Sequence, residues 1–212
     1  MKVLVACEES QRVCIAFRDR GFDAYSCDIQ PCTGGHPEWH FQCDALELLN
    51  KSWDLIIAHP PCTYLSNAGI HYCHEKYGDA AIERRKKLYD AFEFFMQFIT
   101  ADCKHIAVEN PVGIVSTLYR KPDQYIQPYM FGYPVAKKTG LWLKNLPLLQ
   151  PTNIVKPEWY VYPDGRRESK FHHDFCKIRD NAERSKARSK TFPCIAEAMA
   201  QQWGNYLRGE QQ

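Results

Sequence analysis

The alternation of apolar runs predicts an α/β chain, with a mostly parallel sheet and helices on both faces. Three observations carry this. Lys2 to Ala6, a helical stretch and Phe22 to Cys27 make a β-α-β opening. Leu55 to Ala58 is an unbroken apolar run bounded by polar residues and prolines, the pattern of a strand buried on both faces. A second short apolar strand ends in Val108-Glu109-Asn110-Pro111, after a long amphipathic stretch.

In chain order, Lys2 to Ala6 is the first strand. Ser10 to Arg20 is predicted as a helix, with Val13, Ile15, Ala16 and Phe17 apolar and Gly21 as its stop. Phe22 to Cys27 is the second strand, followed by Asp28. An acid about twenty residues after the first turn of a nucleotide-binding sheet accepts ribose hydroxyls. The first turn, Ala6-Cys7-Glu8-Glu9-Ser10, holds no glycine. Its carboxylates repel phosphates, so a pyrophosphate cofactor is disfavoured, and an ammonium or sulfonium suits Glu8 or Glu9 better. The plainer alternative is a solvated helix start.

Cys43-Asp44-Ala45 precedes a short helix through Leu46, Leu48 and Leu49, where Asp44 reads as an N-cap. Thr63 to Gly78 has no periodicity and reads as a long functional loop. Asp79 to Ala101 is a long helix with a stripe of Ile82, Leu88, Tyr89, Phe92, Phe95, Met96 and Ile99. A short helix near Val115 to Tyr119, a strand at Leu141 to Leu143 and a proline-rich linker from Pro147 to Pro163 follow. Thr191-Phe192-Pro193 opens a last helix, with Ala196, Met199, Ala200, Trp203, Tyr206 and Leu207 inward.

A chain of 212 residues with 45% hydrophobic and 25% charged residues is long enough for one substantial core. No apolar run approaches a membrane span, and Met1 to Ala6 is too short for a signal peptide, so a cytoplasmic protein is expected. The ten cysteines are scattered without a C-x-x-C pair, which favours reduced thiols over a disulfide framework. Cys27, Cys32, His36, His40 and Cys43 match no standard zinc-finger spacing, nor do His172, His173 and Cys176, so no metal is expected. Net charge is +2, but Arg166 to Lys190 holds nine Lys or Arg against four Asp or Glu, a local +5 that leaves the remainder at −3. Such a segment is a polyanion footprint or a solvated loop.

Chemistry concentrates at two strand ends. Pro60 and Pro61 have no N–H for the ladder, so they end the strand and hold Cys62 just beyond it. Ligands of open α/β sheets sit there. A buried structural thiol is the bland reading of Cys62. Glu109 at the end of a neighbouring strand would share its crevice, pairing a nucleophile with a proton donor. Pro60-Pro61-Cys62 with Ser66 and Gly69, then Glu109-Asn110-Pro111, resembles the DNA cytosine-5 methyltransferase family, most closely its short phage-type members.

The resemblance implies a Rossmann-like S-adenosylmethionine-dependent methyltransferase fold with a reduced target-recognition region. Residues 1–146 would be the catalytic core, 147–190 a small basic loop region in place of a target-recognition domain, and 191–212 a C-terminal helix returning to complete the cofactor site. The cofactor, S-adenosyl-L-methionine, would lie against Ala6, Cys7, Glu8, Asp28, Ile29, Asp44 and Pro60, with Asp28 on the ribose and Asp44 near the adenine. Cys62 would attack C6 of a flipped cytosine and Glu109 would hold N3. Ser66 and either Lys137 or Lys138 would approach the base or its phosphate, the lysines in place of the family's Gln-x-Arg-x-Arg segment. Arg166, Arg167, Arg184, Lys186 and Arg188 would contact DNA phosphates. So small a recognition region implies weak or short-site specificity, or a protein partner that supplies it. RNA, a pyrimidine nucleotide, or an inactive nucleic-acid-binding protein of this fold remain alternatives.

Overall fold

The computed structural model describes residues 1–209; the last three residues of the 191–212 assignment lie outside the described residues. The chain runs β1 (Lys2–Ala6), α1 (Arg12–Arg18), β2 (Asp23–Asp28), β3 (His40–Gln42), β4 (Leu55–Ala58), α2 (Asn67–Ile70), α3 (Asp79–Ile99), β5 (Ile106–Pro111) and α4 (Val115–Leu118). It continues through β6 (Gln124–Ile126), β7 (Thr139–Lys144), β8 (Trp159–Val161), β9 (Arg167–Ser169), α5 (Lys170–Phe175), α6 (Asn181–Ser189) and α7 (Pro193–Arg208).

Seven strands form one sheet in the order β3-β2-β1-β4-β5-β7-β6. Pairings from β3 to β5 are parallel, and β7 enters antiparallel between β5 and β6. The strand order reverses between β1 and β4, so the crevice beyond their carboxyl ends is the binding edge of such a sheet. The mixed α/β sheet matches the architecture expected from the sequence.

Alternation along the central strands divides the core. Val3, Val5, Leu55 and Ile57 face a layer built with Phe17 of α1 and Ile195, Met199 and Trp203 of α7. Leu4, Ala6, Ile56 and Ala58 face the other layer, with Phe95 and Phe98 of α3 and Trp142 of β7. All four β4 residues are fully buried, as the unbroken apolar run requires.

Several local expectations need correction. The buried seam of α3 is Ala81, Leu88 and Phe95 with Phe98, whereas Ile82 and Tyr89 are exposed. Each lies one residue, about 100° of helix, past the seam, so a stripe drawn through all the large apolar residues is too wide. Tyr206 is also exposed and meets His105 edge-on at the rim. The stretch 63–78 is a chain of short helical turns, in which Ser66 caps α2 and His74 caps a 3-10 turn at Glu75–Tyr77. The basic stretch is not loop throughout: β8 and β9 form a two-stranded antiparallel hairpin, followed by α5 and α6. Neither helix buries a residue.

Candidate active site

Parallel pairing aligns Ala58 of β4 with Val108 of β5, so the next residues, His59 and Glu109, emerge side by side. His59 Nδ1 lies 3.0 Å from Glu109 Oε2, with side chains 8% and 20% exposed. Asn110 then ties the two strand ends together, its Nδ2 donating to the Pro60 carbonyl at 2.9 Å. The Cys62 carbonyl accepts from the amides of Leu65 and Ser66, closing the turn. That turn is stitched to the loop after β5: Asn67 donates to the Val112 carbonyl and Ile114 to that of Leu65. A Cβ on Gly113 would fall 1.9 Å from the Leu65 carbonyl oxygen, so only glycine permits this approach. Cys62 is thus exposed on a turn whose backbone is held at both ends.

The electrostatics are those of a mixed-charge cluster. Crowding by surrounding protein and then the Glu109 carboxylate push the Cys62 thiol up, while Lys137 pulls it down. Burial works to raise the Glu109 carboxyl, but the His59 hydrogen bond and the charges of His59 and Lys137 outweigh it and hold the carboxyl below its ordinary value. Burial works to lower His59, yet its bond to Glu109, the Glu109 charge and then Glu8 hold it above the usual imidazole value. Both shifts favour the charged form of the pair. Burial lowers the Lys137 ammonium, partly offset by Glu109 and Cys62.

The structure separates the two candidate lysines. Lys137 Nζ donates to the Arg188 carbonyl at 2.8 Å and lines a cavity with Glu109, Thr139 and Thr191. Lys138 Nζ instead sits 4.2 Å from the centroid of the Tyr125 ring. The cavity is about 20 Å³, close to the room one water needs. A pyrimidine enters only if the α6–α7 connection parts from Lys137. Sequence reasoning missed His59 and Thr139. A histidine between a buried strand and a Pro-Pro turn was the available signal for His59; nothing local marks Thr139.

The other sequence candidates fall at strand ends. Ala6 ends β1 with Cys7 and Glu8 just beyond it, Asp28 ends β2 with Ile29 beyond it, Asp44 follows β3, and Pro60 follows β4. Without glycine, the first turn still takes left-handed backbone at Cys7 (φ 59°) and Gln11 (φ 57°). Glu8 and Glu9 are buried, 4% and 9% exposed, which corrects the solvated alternative. Both Glu8 oxygens are engaged, accepting from Val13 N at 2.7 Å and Cys14 N at 3.2 Å at the start of α1. Burial, against these bonds and the His59 charge, holds its carboxyl above the usual range. Glu9 accepts from the Thr33 hydroxyl through Oε2, while its Oε1 is buried without a partner. Asp44 caps the 3-10 turn Ala45–Leu48 by accepting from Leu46 N, as its N-cap reading requires. The Cys7 thiol is pushed far up by burial and then by Asp28, with Asp44 adding to it, so both acids lie within electrostatic reach of this turn. Ile29 is 73% exposed beside them. Two acids, an orphaned carboxylate oxygen and an open apolar side chain fit a cationic, partly apolar ligand.

Ser66 is half-buried, its hydroxyl accepting from Gly69 N, and its backbone bridges to Gly113. Arg167, Lys186 and Arg188 are exposed; Arg166 pairs with Asp164, and Arg184 braces the Ile178 carbonyl. Cys27, Cys43, His36 and His40 are taken up in local contacts: the two sulfurs lie 3.8 Å apart, His36 stacks on Trp39 and His40 bonds Ser26. Among the described residues, no three His, Cys, Asp or Glu are placed to hold a metal, and no helix is long and apolar enough to cross a membrane.

No family model and no curated protein matches the chain. Among solved structures it is similar to an E. coli protein provisionally described as a DNA modification methyltransferase encoded within a prophage, at 16% identity and a TM-score of 0.44. The match covers 74% of this chain and 52% of that one, so the chain spans about half the length of its relative.

Proposed function

We propose that the chain is an S-adenosylmethionine-dependent DNA cytosine-5 methyltransferase that works through a covalent Cys62 adduct. One observation carries the reading: adjacent parallel strands deliver a thiol-bearing Pro-Pro turn and a His59-supported Glu109 to one crevice, beside Lys137. The Pro-Cys and Glu-Asn resemblance supplies the reaction class; the sheet supplies the convergence.

The Cys62 thiolate forms a bond to C6 of the cytosine, and the displaced electron pair builds up over C5 and the N3 side of the ring. Glu109 holds N3. In the charged form of the pair, which both shifts favour, the proton that N3 takes up comes from His59 Nδ1 through Glu109 Oε2. Lys137 steadies the thiolate before attack. Asp28, Asp44 and Glu9 would hold the cofactor, which when bound supplies an electrophilic methyl group to C5. Water then takes the C5 proton, its electron pair re-forms the C5–C6 double bond as the C6–S bond breaks, and N3 returns its proton through Glu109 to His59. A target in duplex must first leave the stack, at roughly a few kcal/mol, and the Lys137–Arg188 contact must open to admit it. The exposed cations of β9 and α6 would hold phosphates and read little sequence.

The test is trapping on 5-fluorocytosine, whose fluorine blocks the last elimination. With S-adenosylmethionine, the native chain should give a denaturation-resistant adduct on DNA, and Cys62→Ser should give none. An adduct only on RNA or a cytosine nucleotide would reassign the substrate. Cofactor binding without any adduct would defeat the catalytic reading.

A further inference from the structure

Away from the Cys62–Glu109 crevice lies a second cleft, of about 320 Å³, between the turn after Cys62 and the first half of α3. That is the lower end of the range for small-ligand sites. Tyr64, Tyr72 and Tyr77 line it, together with Arg84 and Lys87. The rings are gathered rather than scattered: Tyr72 and Tyr77 lie 5.5 Å apart, and the Arg84 guanidinium sits 5.0 Å from the Tyr64 ring and 5.2 Å from that of Tyr72. Arg84 is fixed there by the carbonyls of Gly69 and Thr63, so one wall of the cleft is the loop that carries the nucleophile.

Tyr72 is 51% exposed, so part of its ring is open to a ligand. Arg84 opens the run Arg84-Arg85-Lys86-Lys87, whose last two side chains face solvent. Lys87 pairs with Glu83, which also lines the cleft, at 3.7 Å, an exposed helical contact weak enough for a phosphate to displace. Phenol faces beside the Lys87 ammonium match a ligand with a flat π-face and an attached anion.

We infer that this cleft binds a nucleotide of the strand flanking the target, its base stacked on Tyr72 and Tyr77 and its phosphate toward Lys87. The inference rests on the proposed nucleic-acid substrate and adds a second contact to it. It also gives the chain a grip on unpaired nucleotides that the small basic region does not supply, because stacking is tolerant of sequence while phosphate contacts alone only position the strand.

Fluorescence anisotropy with short single-stranded oligonucleotides, without cofactor, tests it on the full chain. Tyr72→Leu should weaken binding about tenfold, and Tyr72→Phe should restore it. Lys87→Gln should lower the salt slope by roughly 0.7. One abasic position in the strand should cost the native chain a similar tenfold and cost Tyr72→Leu nothing more. Tight binding that ignores Tyr72, or an abasic penalty equal in both proteins, overturns the cleft and leaves the methyltransferase reading intact. No binding of any strand by the native chain, with deoxycytidine monophosphate also unbound, overturns the cleft, while failure of the trapping assay with cofactor on duplex DNA is what overturns the methyltransferase reading. Tyr72-dependent binding of the mononucleotide alone keeps the cleft and makes its ligand a free nucleotide.

Discussion

The ends of β4 and β5 and the β8–α6 appendage are built on opposite terms. At the strand ends, His59, Asn110 and Gly113 lock two turns together over strands whose apolar residues Leu55 to Ala58 and Ile106 to Val108 are fully buried. In the appendage, neither α5 nor α6 buries a residue, and β8 is exposed along its length. A covalent reaction needs its sulfur and carboxyl within a narrow geometry, which only a packed sheet enforces. Phosphate contacts tolerate loose placement, because charge acts over several ångströms. Packing is tight where the proposed covalent step would occur and loose where the proposed phosphate contacts lie.

Stability sharpens that comparison most. Trp142→Ala empties a fully buried position and should cost about 3–5 kcal/mol in urea unfolding. Trp159→Ala, in the exposed β8, should stay within about 0.5 kcal/mol. Equal losses at the two tryptophans would erase the contrast.

His59→Gln comes next, at about 3 kcal/mol, because it strands a buried carboxylate. The sign follows from the two shifts. His59 is raised in the folded chain, so its contribution is present below the unfolded imidazole value and fades as pH climbs through the raised one. Glu109 is lowered, so its contribution is present above the unfolded carboxyl value and fades as pH falls through the lowered one. Urea midpoints across pH should therefore separate native and His59→Gln most between those limits, and a gap independent of pH would argue against the ion pair.

A smaller effect is expected on the thiol. Burial and then the Glu109 carboxylate raise Cys62, and Glu109→Gln removes the second of these, so the pH midpoint of Cys62 alkylation, followed by peptide mass spectrometry, should fall. Lys137→Met should move it upward. Smallest is Lys186→Gln in the appendage, which should reduce the slope of log affinity against log salt on duplex DNA by about 0.9 and leave the adduct on Cys62 intact.

What was legible in the chain was local. An unbroken apolar run, two prolines and a cysteine specify a buried strand and a presented thiol without reference to anything distant. Glu109 was legible for the same reason. The error in α3 arose because large apolar residues spread around a helix, and only the partner surface selects the seam of Ala81, Leu88 and Phe95. Glu8 looked like a surface acid because its partners, the amides of Val13 and Cys14, are backbone atoms that every sequence has.

Apolar runs, proline stops, Cys62, Glu109 and the basic segment stand in the residue order itself. Which groups meet depends on the fold. It set His59 against Glu109 by placing β4 beside β5, chose Lys137 over Lys138 by the path into β7, and gathered three tyrosines around Arg84. The physical reason is range. Steric and propensity effects act within a few residues, whereas proximity of residues fifty positions apart, such as His59 and Glu109, is set by strand pairing and core packing.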